Sequence, residues 1–115
     1  MRTLNDYFIS GRVADISTAG STFVAVPDGG KIIKIMTVLQ GAISGGNAAI
    51  TFEIGGTAVT NAGITVAHSG SATGTMDSSV PSALNEVAED GSIEIITDGN
   101  STGAKALDVT FIIRR

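Results

Sequence analysis

The chain has 115 residues, a length for one domain that buries roughly 65% of its unfolded surface. It contains no cysteine, which excludes a disulfide framework and a Cys-based zinc site. Seven Lys+Arg against eleven Asp+Glu give a net charge of −4, and no basic run exists. Nucleic-acid backbones and anionic membrane surfaces both require clustered cations, so neither is an expected partner.

Residues 1–10 are interrupted by Asn5 and Asp6 and lack the apolar run of a secretory leader. They read as a first strand or an N-terminal arm, with Leu4, Tyr7, Phe8 and Ile9 as its apolar side chains. Residues 11–115 read as one β-domain. Strands are expected over 12–17 and 22–26, separated by the turn cluster 18–21. Pro27-Asp28-Gly29-Gly30 then forms a tight turn.

Residues 31–40 form the longest strand, apolar on both faces, which requires cover on both sides. Ile33 and Met36 stand on its opposite faces. After the loop 41–46, Ala48, Ile50, Phe52 and Ile54 alternate with Ala49, Thr51 and Glu53, the period of a half-buried strand. Gly55-Gly56 supplies a hairpin reversal into a return strand over 57–60. Short extended segments follow at 64–66 and, as an exposed strand, at about 70–76. Leu84 and Val87 are expected to tuck inward from an irregular stretch beginning at Val80-Pro81.

Over 92–97, Ile93 and Ile95 face in, with Ile96 an apolar residue on the outer face. Residues 98–103 read as a hairpin tip leading into the last strand, 104–113. There Leu107, Val109, Phe111 and Ile113 face in and Ile112 faces out. Seven or eight strands spaced about ten residues apart, with no helix, define an all-β fold. It is a single-domain antiparallel β-sandwich, jelly-roll-like, with an immunoglobulin-like sandwich as the alternative.

Motifs for chemistry are sparse. His68 is the only histidine, so a Ser/His/Asp triad could be built only around it, and no GxSxG elbow precedes a serine. Gly29-Gly30-Lys31 lacks the spacing of a phosphate loop. Glu86 and Glu89-Asp90 flank a turn, and the aromatic residues are too few for a sugar platform beside them. Asp98-Gly99-Asn100-Ser101-Thr102-Gly103 opens like a calcium loop, but the position that needs a glutamate is Val109. These residues read as a turn. No catalytic residue, metal or cofactor is expected, and the protein is read as a non-enzyme.

Several segments occur in a telling order. They are Ala14-Asp15-Ile16-Ser17-Thr18-Ala19, Ile54-Gly55-Gly56-Thr57-Ala58-Val59-Thr60, residues 63–77, Pro81-Ser82-Ala83-Leu84-Asn85-Glu86-Val87, Asp90 to Ile95, and Thr97 to Thr102. In this order the chain resembles the small virion proteins of tailed bacteriophages, the capsid decoration (cement) or head-fibre proteins. The resemblance implies a jelly-roll-like domain that trimerises on the capsid exterior. Such a domain is made in the bacterial host cytoplasm and clamps neighbouring copies of the major capsid protein. Leu4, Tyr7, Phe8, Ile9, Pro27 and Asp28 are then candidate capsid contacts. Ile33, Met36, Ile96 and Ile112 are candidate subunit contacts. A receptor- or glycan-binding module of a head or tail fibre is the alternative from another class, and a hydrolase using His68 is a third.

Overall fold

The computed structural model describes residues 5–115. Its strands are β1 (Asp6–Val13), β2 (Gly20–Val26), β3 (Gly30–Leu39), β4 (Ala48–Ile54), β5 (Thr57–Ala58), β6 (Ile64–Val66), β7 (Met76–Ser79), β8 (Glu86–Val87), β9 (Gly91–Thr97) and β10 (Leu107–Arg114). Among the described residues there is no helix.

The pairing is nested and antiparallel throughout. β1 pairs with β10, β2 with β9, β3 with β7 and β8, and β4 with β5 and β6. First with last and second with penultimate is the pattern of one long hairpin, rolled so that successive ladders fall on alternate sheets. That is a jelly roll. The first sheet has the order β1-β10-β3-β7, with β8 continuing the β7 edge; the second has β2-β9-β4-β5, with β6 on the β5 edge. The expected sandwich is therefore present, and its strand order differs from the immunoglobulin arrangement.

Alternation places the core. Ile50 and Phe52 of β4 are buried, as are Ile93 and Ile95 of β9 and Leu107, Val109, Phe111 and Ile113 of β10. These are the inner faces of the two sheets, each side chain leaving the pleat toward the other layer. Phe52 and Phe111 meet edge to face across the gap, their ring centroids 5.6 Å apart at 89°. Gly11 of β1 lets the layers close: a Cβ there would stand 2.4 Å from Val24 Cγ2. The Gly55-Gly56 reversal has positive φ at both residues, 59° and 81°, as a two-residue hairpin turn of this hand requires.

Several local expectations are corrected. The first strand is continuous from Asp6 to Val13, so the strand expected over 12–17 is mostly turn. Ile16 is nevertheless fully buried. Asp15 forms that turn by accepting from the Ser17 backbone N–H at 2.9 Å and from its hydroxyl at 2.5 Å. Residues 70–75 are loop, and the edge strand lies later, at Met76–Ser79. The return strand after Gly56 stops at Ala58; Thr60 instead bridges to Ala83. Residues 98–103 do not close a hairpin, because β9 and β10 belong to different sheets and the segment crosses between them. Leu84 does not tuck in and is 62% exposed, whereas Val87 is buried.

The long strand β3 follows the parity of Ile35, Thr37 and Leu39 until a register shift against β10 between Ile112 and Ile113. That bulge turns Ile32 inward and leaves Ile33 half-buried beside Lys34.

Phe111→Ala should lower unfolding stability by about 3–5 kcal/mol, since it removes one half of the cross-sheet pair and leaves a cavity. Gly11→Ala should cost about 1–3 kcal/mol by forcing Val24 from its site. Urea denaturation followed by far-UV circular dichroism reads both.

Candidate functional site

The residues singled out for chemistry are held by ordinary turn hydrogen bonds. His68 is exposed, and its Nδ1 lies 2.8 Å from Asn47 Oδ1, which also accepts the His68 backbone N–H at 3.1 Å. The imidazole's hydrogen-bond partner is therefore the Asn47 amide. Asp98 Oδ1 accepts the backbone N–H groups of Asn100 at 3.1 Å and Ala49 at 3.2 Å, the geometry of a side-chain-capped turn. Among the described residues no group of three or more His, Asp or Glu could hold a metal ion.

The start of β1, the turn between β2 and β3 and residues 114–115 build one end of the sandwich. Tyr7 donates its hydroxyl to the Gly29 carbonyl at 2.9 Å, and the Arg115 guanidinium lies 5.3 Å from its ring centroid. Arg115 also pairs with Asp28 at 2.5 Å. Tyr7, Asp28 and the turn that begins at Pro27 are thus brought together. Ile9 points inward and packs against the core with Tyr7. Phe8 points the other way and is 59% exposed. Leu4 lies outside the described residues. Beside this end, Asp6, almost wholly buried, receives a bidentate bond from Arg114 at 2.8 and 3.0 Å.

The outer face of the first sheet carries three candidate subunit contacts. Register sets Phe8, Ile112 and Lys34 in one row, and Ser10, Thr110, Met36 and Ser78 in the next. Ile112 is outward yet only 2% exposed, flanked by Phe8 and Lys34. Met36 and Ile33 are half-buried on the same sheet. Arg12, Asp108, Val38 and Met76 form a further row. There Arg12 bonds both Asp108 oxygens at 2.7 and 2.9 Å, and Gln40 adds a third bond at 2.8 Å.

Ile96 stands apart from these, half-buried on the outer face of the second sheet. The strands of that sheet contain no Lys or Arg. Their outward carboxylates, Glu53 and Glu94, are register partners, and Ser21 donates to Glu94 at 2.6 Å.

Sequence reading missed four exposed apolar side chains: Phe23, Met76, Val80 and Leu84. Phe23 could have been found from parity alone, because Val24 and Val26 of the same strand are inward. Met76 depended on the true limits of β7.

Ionisation follows these contacts. Burial raises the Tyr7 pKa above its ordinary value, partly offset by a backbone hydrogen bond at Asp28. Asp108 is held below the usual carboxylate range chiefly by the bond from Arg12. Asp15 is held down chiefly by the Ser17 hydroxyl.

No protein-family model matches the chain, and no curated protein matches it. Among the described residues, no helix is long and apolar enough to cross a membrane.

The chain has one tyrosine and no tryptophan, so absorbance at 295 nm titrates Tyr7 alone. Its midpoint should lie above that of free tyrosine, near pH 10. The fold favours the protonated phenol, so this contribution to stability is complete below about pH 10 and is lost as pH rises through the higher folded value. The aspartates act in the opposite sense. Their stabilisation is complete above about pH 4 and is lost as pH falls through their lowered folded values. An Asp108→Asn protein should therefore lose less melting temperature between about pH 5 and pH 2 than the wild type does.

Proposed function

We propose that the protein is a non-enzymatic structural component of a tailed-phage virion. It binds the outside of the capsid as a homo-oligomer, a trimer by resemblance, and stabilises the mature head. The observation that carries this reading is the set of large apolar side chains standing outside a closed core. Phe8 and Met76 lie on one outer face, Phe23 lies on the other, and Val80 and Leu84 lie between the short strands, all more than half exposed. Side chains of this kind, held on a rigid scaffold, are the usual anchors of protein–protein contacts.

The mechanism is mass action. A protein that binds only the expanded shell stabilises that state in proportion to its binding free energy, and no bond is made or broken. Oligomerisation raises the effective concentration of each weak contact. Phe8 is exposed on β1 next to Tyr7, whose hydroxyl bonds the turn that follows Pro27-Asp28, which supports that end of the sandwich as the capsid-facing surface. Two contacts favour this reading over a glycan-binding module. The Tyr7 ring is covered by Arg115, so it is not free to stack on a sugar, and the Asp98 carboxylate is engaged in its own turn.

Purified protein mixed with emptied heads should co-sediment with mature particles and not with immature ones. Phe8→Asp should weaken this binding at least tenfold, about 1.4 kcal/mol, with an unchanged circular-dichroism spectrum. His68→Ala should bind as the wild type does. Wild-type protein that ignores both head forms and binds a surface glycan would overturn the proposal in favour of the receptor-binding alternative.

A further inference from the structure

Leu84 combines two unfavourable features. Its side chain is 62% exposed, and its φ is +53°. Among the described residues, three that are not glycine have positive φ: Asn61, Leu84 and Asp90. Asn and Asp tolerate the left-handed region; a leucine there is strained by its Cβ.

The surrounding backbone imposes this conformation from both sides. Before Leu84, the Ser82 N–H donates to the Thr60 carbonyl at 3.0 Å and the Thr60 N–H donates to the Ala83 carbonyl at 3.0 Å. After it, the Ile32 N–H donates to the Asn85 carbonyl at 2.9 Å, and the buried Asn85 amide donates to the Ile32 carbonyl at 2.7 Å. The first pair of bonds ties the segment to the chain leaving β5 of the second sheet. The second pair ties it to β3 of the first. Leu84 is the single residue between the two clamps. A strained position persists only where its surroundings over-determine it, and such positions gather at binding sites.

Beside Leu84 lies an open cleft of about 500 Å³, walled by Ile54, Thr57 and Ala83 and by Leu84 itself. Lys31 and Glu86 also line it. They are register partners on β3 and β8, yet among the described residues neither belongs to an ion pair. The surface therefore carries a projecting apolar side chain, a hollow next to it, and one charge of each sign.

We infer that Leu84 is the anchor of self-association: it enters the corresponding cleft of a neighbouring copy, where Lys31 and Glu86 each meet the opposite charge of an adjoining copy. A knob adjacent to its own hollow is what copies arranged around a nearby rotation axis require, since each then presents the knob to its neighbour's hollow. The paired charges make the same patch complementary to itself, which a uniformly charged partner would not match. The inference rests on the proposed homo-oligomer and names the surface that forms it.

Analytical ultracentrifugation of wild type, Leu84→Asp, Leu84→Gly and Phe23→Ser tests it. Both Leu84 variants should raise the self-dissociation constant at least tenfold, and Phe23→Ser, on the other sheet, should leave it unchanged. Compared as protomers at high dilution, Leu84→Gly should melt no lower than the wild type, because glycine relieves the positive φ. A less stable Leu84→Gly protomer would show that the side chain packs within its own chain and would overturn the inference. So would wild-type association in either Leu84 variant, or a wild type that stays monomeric at every concentration. Head sedimentation of the same proteins separates the two claims. Leu84 variants that associate normally but lose the heads would assign Leu84 to the shell and overturn self-contact. Association lost in the variants of a wild type that never binds heads would sustain the inference while the capsid reading falls.

Discussion

The contact between Phe52 and Phe111 is the constraint on which the rest of the molecule depends. Each ring is essentially buried, each comes from a different sheet, and they meet edge to face at 5.6 Å. With no tryptophan and only four phenylalanines in the chain, this pair is the largest cross-sheet packing unit of a core otherwise built from Ile, Leu, Val and Ala. An edge-to-face pair adds orientation to area burial, so it fixes how the sheets sit over one another as well as that they adhere. Once those two rings face inward, parity settles every other residue on β4 and β10.

What parity leaves outside is as informative as what it buries. Phe8 and Phe23, the other two phenylalanines, both lie on outer faces. Half of the chain's largest apolar side chains are therefore withheld from its core. The two outer faces also differ in charge. Lys31, Lys34, Arg12 and Arg114 all belong to the first sheet, whereas the second has outward glutamates and no cation in its strands. A domain of this kind is chemically two-sided.

The edges are managed by the termini. β1 is the edge of the first sheet along its whole length, and its outer row is secured by Arg12 on Asp108 and by Arg114 on Asp6. Arg115 extends this to the loop at Asp28, over the ring of Tyr7. The exposed pairs, Arg12 with Asp108 and Arg115 with Asp28, contribute modestly to stability. The pairs of Arg12 and Arg114 also span the register between β1 and β10, at the edge where a free strand would invite further pairing. At the opposite edges the strands are short and broken, β5 and β6 on one sheet and β7 and β8 on the other, and there the strained Leu84 segment links the two layers.

Composition and the period-two pattern were sufficient for the all-β class, for the inward faces of β4, β9 and β10, and for the glycine turn between β4 and β5, because each depends on neighbours along the chain. The absence of cysteine and of clustered cations could likewise be read directly. Sequence could not reveal that β9 and β10 lie in different sheets, since a crossing and a hairpin tip use the same turn residues. Nor could it place Leu84 outside: a leucine between alanine and asparagine looks like a core residue until the bonds from Thr60 and Ile32 turn its backbone left-handed. Tyr7, Asp28 and Arg115 meet only because the nested pairing brings the two ends of the chain to the same corner. Local pattern determines which way a side chain points from its own strand, but which strands become neighbours is a choice made between segments far apart, and that choice belongs to tertiary packing.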